Sequence, residues 1–146
     1  MATAAAALLV AAGVAVAAVV TSGPTIRTQS QFVAGTPEAG VTVGLDTTVY
    51  IPATTHAPAV LLAHGFGWSK ADLDSEARSL AEHGYVVLAY TARGFGRSGW
   101  FIHLDAPPYE VADAGMLVSY LATLPQVVKD APGDPRVGVA GSSYGG

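Results

Sequence analysis

Between residues 59 and 140 the chain carries three short apolar runs, 59–63, 85–90 and 136–140, separated by two longer stretches with helical periodicity. This alternation restricts the fold more than anything else in the sequence. Runs of five or six apolar residues without polar alternation are too short for helices and read as strands buried on both faces. Between the first two, Leu73, Ala77, Leu80 and Ala81 share one helical face, and Gly84 closes that helix. Between the second and third, Val111, Ala114, Val118 and Leu121 mark another amphipathic helix, with Pro125 just past its end. Strand, helix, strand, helix, strand builds a mostly parallel sheet with helices on both faces, and ligands bind such sheets beyond the carboxyl ends of the strands. A glycine turn follows each run, at Gly65, Gly94 and Gly141, so three loops should meet on one rim.

Upstream, residues 41–45 and 47–51 are expected to form a strand pair ended by Pro52, which sets the folded domain at 41–146. Residues 22–40 are polar, carry Gly and Pro at both ends and read as a linker. Residues 1–21 form an apolar segment whose unbroken run, 4–20, is at the short end for crossing a bilayer. No Lys or Arg precedes it and no clear small-x-small cleavage site ends it. A retained anchor is favoured, a removed signal peptide stays open, and an Ala-rich buried helix is the third reading. The expected location is outside the cytoplasm, membrane-anchored or secreted, with membrane association through residues 4–20.

Composition excludes several classes of function. A chain that is 51% hydrophobic and 12% charged is too apolar to be disordered and long enough for one core. With seven Lys plus Arg, no basic cluster and a net charge of -4, nucleic acid is not an expected partner. The absence of cysteine excludes disulfides, thiolate nucleophiles and cysteine-bound zinc. None of the four histidines is spaced as a helical metal pair, so no metal is expected, and no cofactor either.

The last residues, Gly141-Ser142-Ser143-Tyr144-Gly145-Gly146, fit a Gly-x-Ser-x-Gly turn entered from a strand. Such a turn lifts a serine hydroxyl out of the sheet, and glycines on either side admit neighbouring backbone where a Cβ would clash. Ser143 is therefore the candidate nucleophile; the plainer reading is a serine in a tight glycine-rich turn. Gly94-Phe95-Gly96-Arg97-Ser98-Gly99 also fits a dinucleotide fingerprint, but it runs into Trp100-Phe101-Ile102 and two prolines instead of opening a helix.

These motifs together resemble the N-terminal half of an α/β-hydrolase domain, closest to the X-prolyl dipeptidyl-peptidase and cocaine-esterase-like serine hydrolases. The resemblance rests on His64-Gly65-Phe66-Gly67 after a strand, on Arg93-Gly94-Phe95-Gly96-Arg97-Ser98-Gly99, and on the serine turn, where Tyr after the serine followed by two glycines is similar to proline-directed peptidases. It implies an α/β-hydrolase sheet cut off after the nucleophile turn. It also implies that Ser143 forms an acyl-enzyme from a small ester or peptide substrate. The backbone N–H groups of Tyr144 and Phe66 would hold the oxyanion, with His64, Gly65, Gly67, Gly141 and Gly145 shaping the loops. Where relatives place a tyrosine hydroxyl in the first loop, Phe66 and Trp68 stand here, and Thr91 replaces a common Asp together with the cap that acid makes.

His64 is out of chain order for a triad base and reads as loop structure. His103 and Asp105 read as a solvated loop, and Arg93 and Arg97 as partners of acids or strand-end caps. Trp68 and Trp100 read as pocket wall or packing. A non-catalytic or pseudo-hydrolase module is the rival reading, because no acid or histidine follows Ser143 in the chain. The chain by itself is expected to expose apolar surface and a raw sheet edge, and so to fold poorly or aggregate.

Overall fold

A computed structural model of the protein describes residues 25–146, so the apolar segment 4–20 lies outside the described residues. Strands β1 (Arg27–Ala34), β2 (Gly44–Ile51) and β3 (Ala59–Ala63) are followed by helix α1 (Asp74–Glu82) and strand β4 (Val86–Tyr90). Helix α2 (Ala112–Thr123), the small hairpin β5 (Lys129–Ala131) and β6 (Asp134–Pro135), and strand β7 (Val137–Gly141) complete the order. Five strands form one sheet in the order β1-β2-β4-β3-β7. β4, β3 and β7 are parallel neighbours and β2 is antiparallel to both β1 and β4, so four of the five strands point one way.

Alternation along the central strands divides the core into two layers. Ala59, Leu61, Val86 and Leu88 pack with Leu117 and Leu121 of α2 on one face. Leu62, Val87 and Ala89 pack with Leu73, Ala77 and Ala81 on the other, the face of α1. Ala77 and Ala81 are fully buried, and their small side chains let α1 lie close to the sheet. Gly84, with φ +91, takes the chain out of α1 through a conformation that suits glycine.

The linker expected at 22–40 and the strand pair expected at 41–45 and 47–51 are both corrected. β1 occupies the middle of the supposed linker and pairs with β2 from Arg27↔Ile51 to Ala34↔Gly44. The folded unit thus begins well before residue 41. The turn between the two strands is Glu38-Ala39-Gly40-Val41, with φ +49 and +78 at its centre and reciprocal Glu38–Val41 backbone bonds of 2.9 Å, which is type I′ geometry. β1 escaped notice because it is an edge strand with only Val33 buried; its backbone ladder holds it, and a ladder leaves no apolar period in the sequence.

Two further expectations change. Val111 is 55% exposed, and α2 turns Asp113, Leu117 and Leu121 inward, with Ala114 and Val118 at the flank. An acid on the buried stripe defeats a search by apolar period alone. The run at 136–140 is a parallel strand as expected but not a buried one, since β7 is the edge of the described sheet and Val139 is 63% exposed.

Candidate active site

Register alone brings the three glycine turns together. Ala63 pairs with Tyr90 on one side and with Gly141 on the other, so β4, β3 and β7 end level with one another. The loops that follow share one rim, where a doubly covered sheet binds ligands.

Ser143 opens the short 3-10 turn Ser143–Gly145 directly after β7, is exposed, and has φ +55. Left-handed backbone at a non-glycine residue costs on the order of 1–3 kcal/mol; Ala39 in the β1–β2 turn adopts it too, so at Ser143 it gains its meaning from the packed glycines on either side. The flanking glycines are there because backbone fills the space. A Cβ on Gly141 would lie 1.9 Å from the Gly145 carbonyl oxygen, and one on Gly145 would lie 2.7 Å from the Ala63 carbonyl. Gly146 is less constrained, with its nearest neighbour at 3.3 Å. Gly145→Ala must push the turn off β3; a displacement near 1 Å costs about 100-fold in rate. We expect at least that loss in the full-length protein, measured as kcat/KM on a p-nitrophenyl ester, and activity within a few-fold of wild type would contradict the close packing.

The loop after β3 lies against this turn: a Cβ on Gly65 would sit 3.9 Å from the Ser143 Cβ. Its Gly65 carbonyl accepts the Trp68 N–H at 3.1 Å, and Gly67 has φ +80, the pattern of a type II turn with Phe66 at its second position. Among the described residues neither the Phe66 nor the Tyr144 N–H is used by another protein group. Both stay available to a ligand.

His64 is buried at the centre of the rim. The Ala92 N–H can only donate, so the His64 Nε2 at 2.9 Å accepts and the Nδ1–H donates to the Gly65 carbonyl at 2.7 Å. Both ring nitrogens are committed. His64 thus ties the loop after β3 to the loop after β4, and has no nitrogen left to take a serine proton.

The loop after β4 closes on itself. Gly94 N–H donates to Gly99 O at 3.0 Å, and a Cβ on Gly94 would meet Ile102 at 2.5 Å. The 94–99 segment does not open into a helix; the next α-helix begins at Ala112. Thr91, where a cap was expected to be lost, accepts the Lys70 N–H on its hydroxyl at 3.1 Å. Arg97 lies over the Phe32 ring, 5.1 Å from its centroid.

Arg93 pairs with acids, in an arrangement the sequence did not reveal. Its side chain is fully buried and forks onto Asp113 with two bonds of 2.7 Å, onto Glu38 at 2.9 Å and onto the Thr36 carbonyl at 3.0 Å. His103, expected in a solvated loop, instead stacks on Tyr109 at 4.1 Å and lies 3.0 Å from both Glu38 oxygens. Glu110 accepts the His103 and Ala106 N–H groups at 2.6 and 3.0 Å. Glu110, in the turn Pro107–Val111 that leads into α2, and Glu38, in the β1–β2 turn, thus hold the 100–106 segment in place.

A cavity of about 180 Å³ lies under the serine turn, lined by Ala63, His64, Arg93, Glu110, Val139 and Tyr144 among others. The Tyr144 hydroxyl is buried there and has no partner in bonding geometry among the described residues. Burial, and then Glu110 and Asp105, hold this phenol well above its ordinary range. Burial and then Asp113 push the neighbouring Tyr90 phenol up to about 12. Among the described residues no three His, Asp or Glu side chains are grouped to hold a metal, and no helix is long and apolar enough to cross a membrane.

Residues 54–146 match the family described as serine aminopeptidase, S33. The chain is 36% identical over 62 residues to a non-heme haloperoxidase from Rhodococcus erythropolis, over 42% of this chain and 23% of that one. It superposes on a Pyrococcus furiosus esterase with a TM-score of 0.62 at 22% identity, over 82% of this chain and 42% of that one. An epoxide hydrolase from Vigna radiata gives 0.57 at 18%, over 81% and 33%. The chain therefore spans 23% to 42% of the length of these relatives. Its sheet order, its strained serine turn and a family match running through the closing Gly146 mean that the chain belongs to the serine aminopeptidase S33 family and has an α/β-hydrolase fold.

Proposed function

We propose that this chain carries the nucleophile and oxyanion part of a serine hydrolase acting on small esters or peptides, with X-prolyl dipeptidyl-peptidase-like specificity. The observation that carries the reading is Ser143 at φ +55 on a turn whose two glycines are packed against β3. Ser143 Oγ attacks the carbonyl carbon, and the carbonyl electron pair moves onto oxygen. The Tyr144 and Phe66 N–H groups stabilise that oxyanion, each worth about 100- to 1000-fold in rate. Collapse expels the alcohol or amine, which takes up a proton, and water then releases the acid from the acyl-enzyme.

The serine proton needs a base, and His64 is not one. The acid and histidine of the triad come from outside these 146 residues. Proline-directed specificity is supported by Tyr144 and the glycine pair that follows it. The unbroken apolar run 4–20 supports a location at or beyond the membrane, as a retained anchor or a removed signal. The test is a fluorophosphonate probe on the full-length protein, which should attach to the peptide bearing Ser143. Attachment elsewhere would move the nucleophile away from Ser143, and no attachment under conditions where a control serine hydrolase reacts would leave the non-catalytic module as the better reading.

A further inference from the structure

The geometry points to Phe66 as the residue that selects the acyl group, favouring acids with an uncharged aromatic or cyclic side chain; this rests on Ser143 being the nucleophile. Phe66 stands at the second position of the turn beside the serine, yet its side chain is 58% exposed. It is exposed without being loose. Its ring meets Phe95 edge-on at 5.2 Å and Tyr144 at 5.8 Å, and Phe95 and Tyr144 meet each other at 5.4 Å. Phe95 is itself buried and backed by the His64 ring at 5.2 Å. Edge-to-face rings at these separations hold one another in place, and the Gly65–Trp68 turn bond fixes the backbone beneath.

The outcome is an apolar wall with one ring open to solvent and its other members committed to the core. Its place on the chain decides what that ring meets. The Phe66 N–H is a proposed oxyanion donor, so a carbonyl bound there puts the group on its acyl side within a residue's reach of the Phe66 ring. A flat apolar group would cover the exposed ring and lose water from both surfaces. A charged group would lose solvation against three aromatic rings that carry no compensating charge. Chemistry and binding would thus depend on one residue, through its backbone and its side chain respectively.

The experiment uses the full-length enzyme and two esters with one leaving group, p-nitrophenyl phenylacetate and p-nitrophenyl acetate. The readout is the ratio of their kcat/KM values for each variant, so any loss from a shifted Phe66 N–H, common to both esters, cancels. Phe66→Ala should lower the ratio about 10-fold or more, within the range for apolar pocket contacts, and Phe66→Leu should recover part of it. An unchanged ratio in Phe66→Ala, whatever the absolute rates, overturns the assignment. So does a Phe66→Leu ratio no higher than that of Phe66→Ala. Absence of turnover of either ester by the wild type, with no fluorophosphonate at Ser143, defeats the nucleophile reading and this inference with it. Normal Ser143 labelling with an unchanged ratio defeats this inference alone.

Discussion

Ser143→Ala in the full-length enzyme is expected to lower kcat by roughly 10⁴- to 10⁶-fold, with unfolding free energy within about 0.5 kcal/mol of wild type. The first expectation follows from deleting the proposed nucleophile, which would leave only the proposed oxyanion donors and binding. The second follows from the hydroxyl, which is exposed and has no hydrogen-bond partner among the described residues. Ser143→Gly sharpens the experiment. Glycine removes the same nucleophile but accepts φ +55 without strain, so this variant should be equally inactive and about 1 kcal/mol more stable than Ser143→Ala. Denaturant unfolding of the two variants side by side measures the difference. Equal stability would mean that the turn stores no strain at the serine.

Arg93→Met should be the most destabilising single change in the described fold. The guanidinium is fully buried and Asp113 nearly so, and removing one partner of such a pair leaves an uncompensated carboxylate, at a cost of about 3–5 kcal/mol. Among the described residues Asp113 would then retain only the Thr36 N–H at 2.7 Å. Arg93→Lys should also be costly, because a single ammonium cannot reproduce the fork onto Asp113 while reaching Glu38 and Thr36. The double variant Arg93→Met with Asp113→Leu should regain much of the loss, because apolar replacement of a whole buried pair is often neutral. Urea unfolding of the full-length protein reads all three, and a double variant as unstable as Arg93→Met would place the cost in packing and not in charge.

Much of this was legible in the sequence, and the part that was not has a common cause. β3 matched its apolar run, β4 lost only its first residue, and α1 was announced by Leu73, Ala77, Leu80 and Ala81 together with Gly84. Local pattern suffices where an element is buried on both faces or has a clean apolar stripe. β1 is held by its backbone ladder to β2, which any side chains can make. The inward face of α2 is set by Asp113 answering Arg93, and Arg93 answers Glu38 far upstream. Pairings between distant charges leave no period to find. At the site, Ser143, Gly141, Gly145 and the Phe66 loop could be named from motif and steric reasoning. The commitment of both His64 nitrogens, the aromatic wall and the isolated Tyr144 hydroxyl depend on which loops meet, and so required the structure.

The level ending of β3 and β7 has a consequence for how the enzyme comes into being. Ala63 and Gly141 are more than half the chain apart, and among the described residues β7 pairs only with β3. Closing so long a connection is entropically expensive and slow, and parallel pairing rewards it only after the intervening strand and helices are in place. β2, β4 and α1 can assemble from nearer contacts. The proposed nucleophile therefore arrives with the most distant pairing in the described sheet, and a partly folded molecule can hold most of the described core while Ser143 is not yet in position.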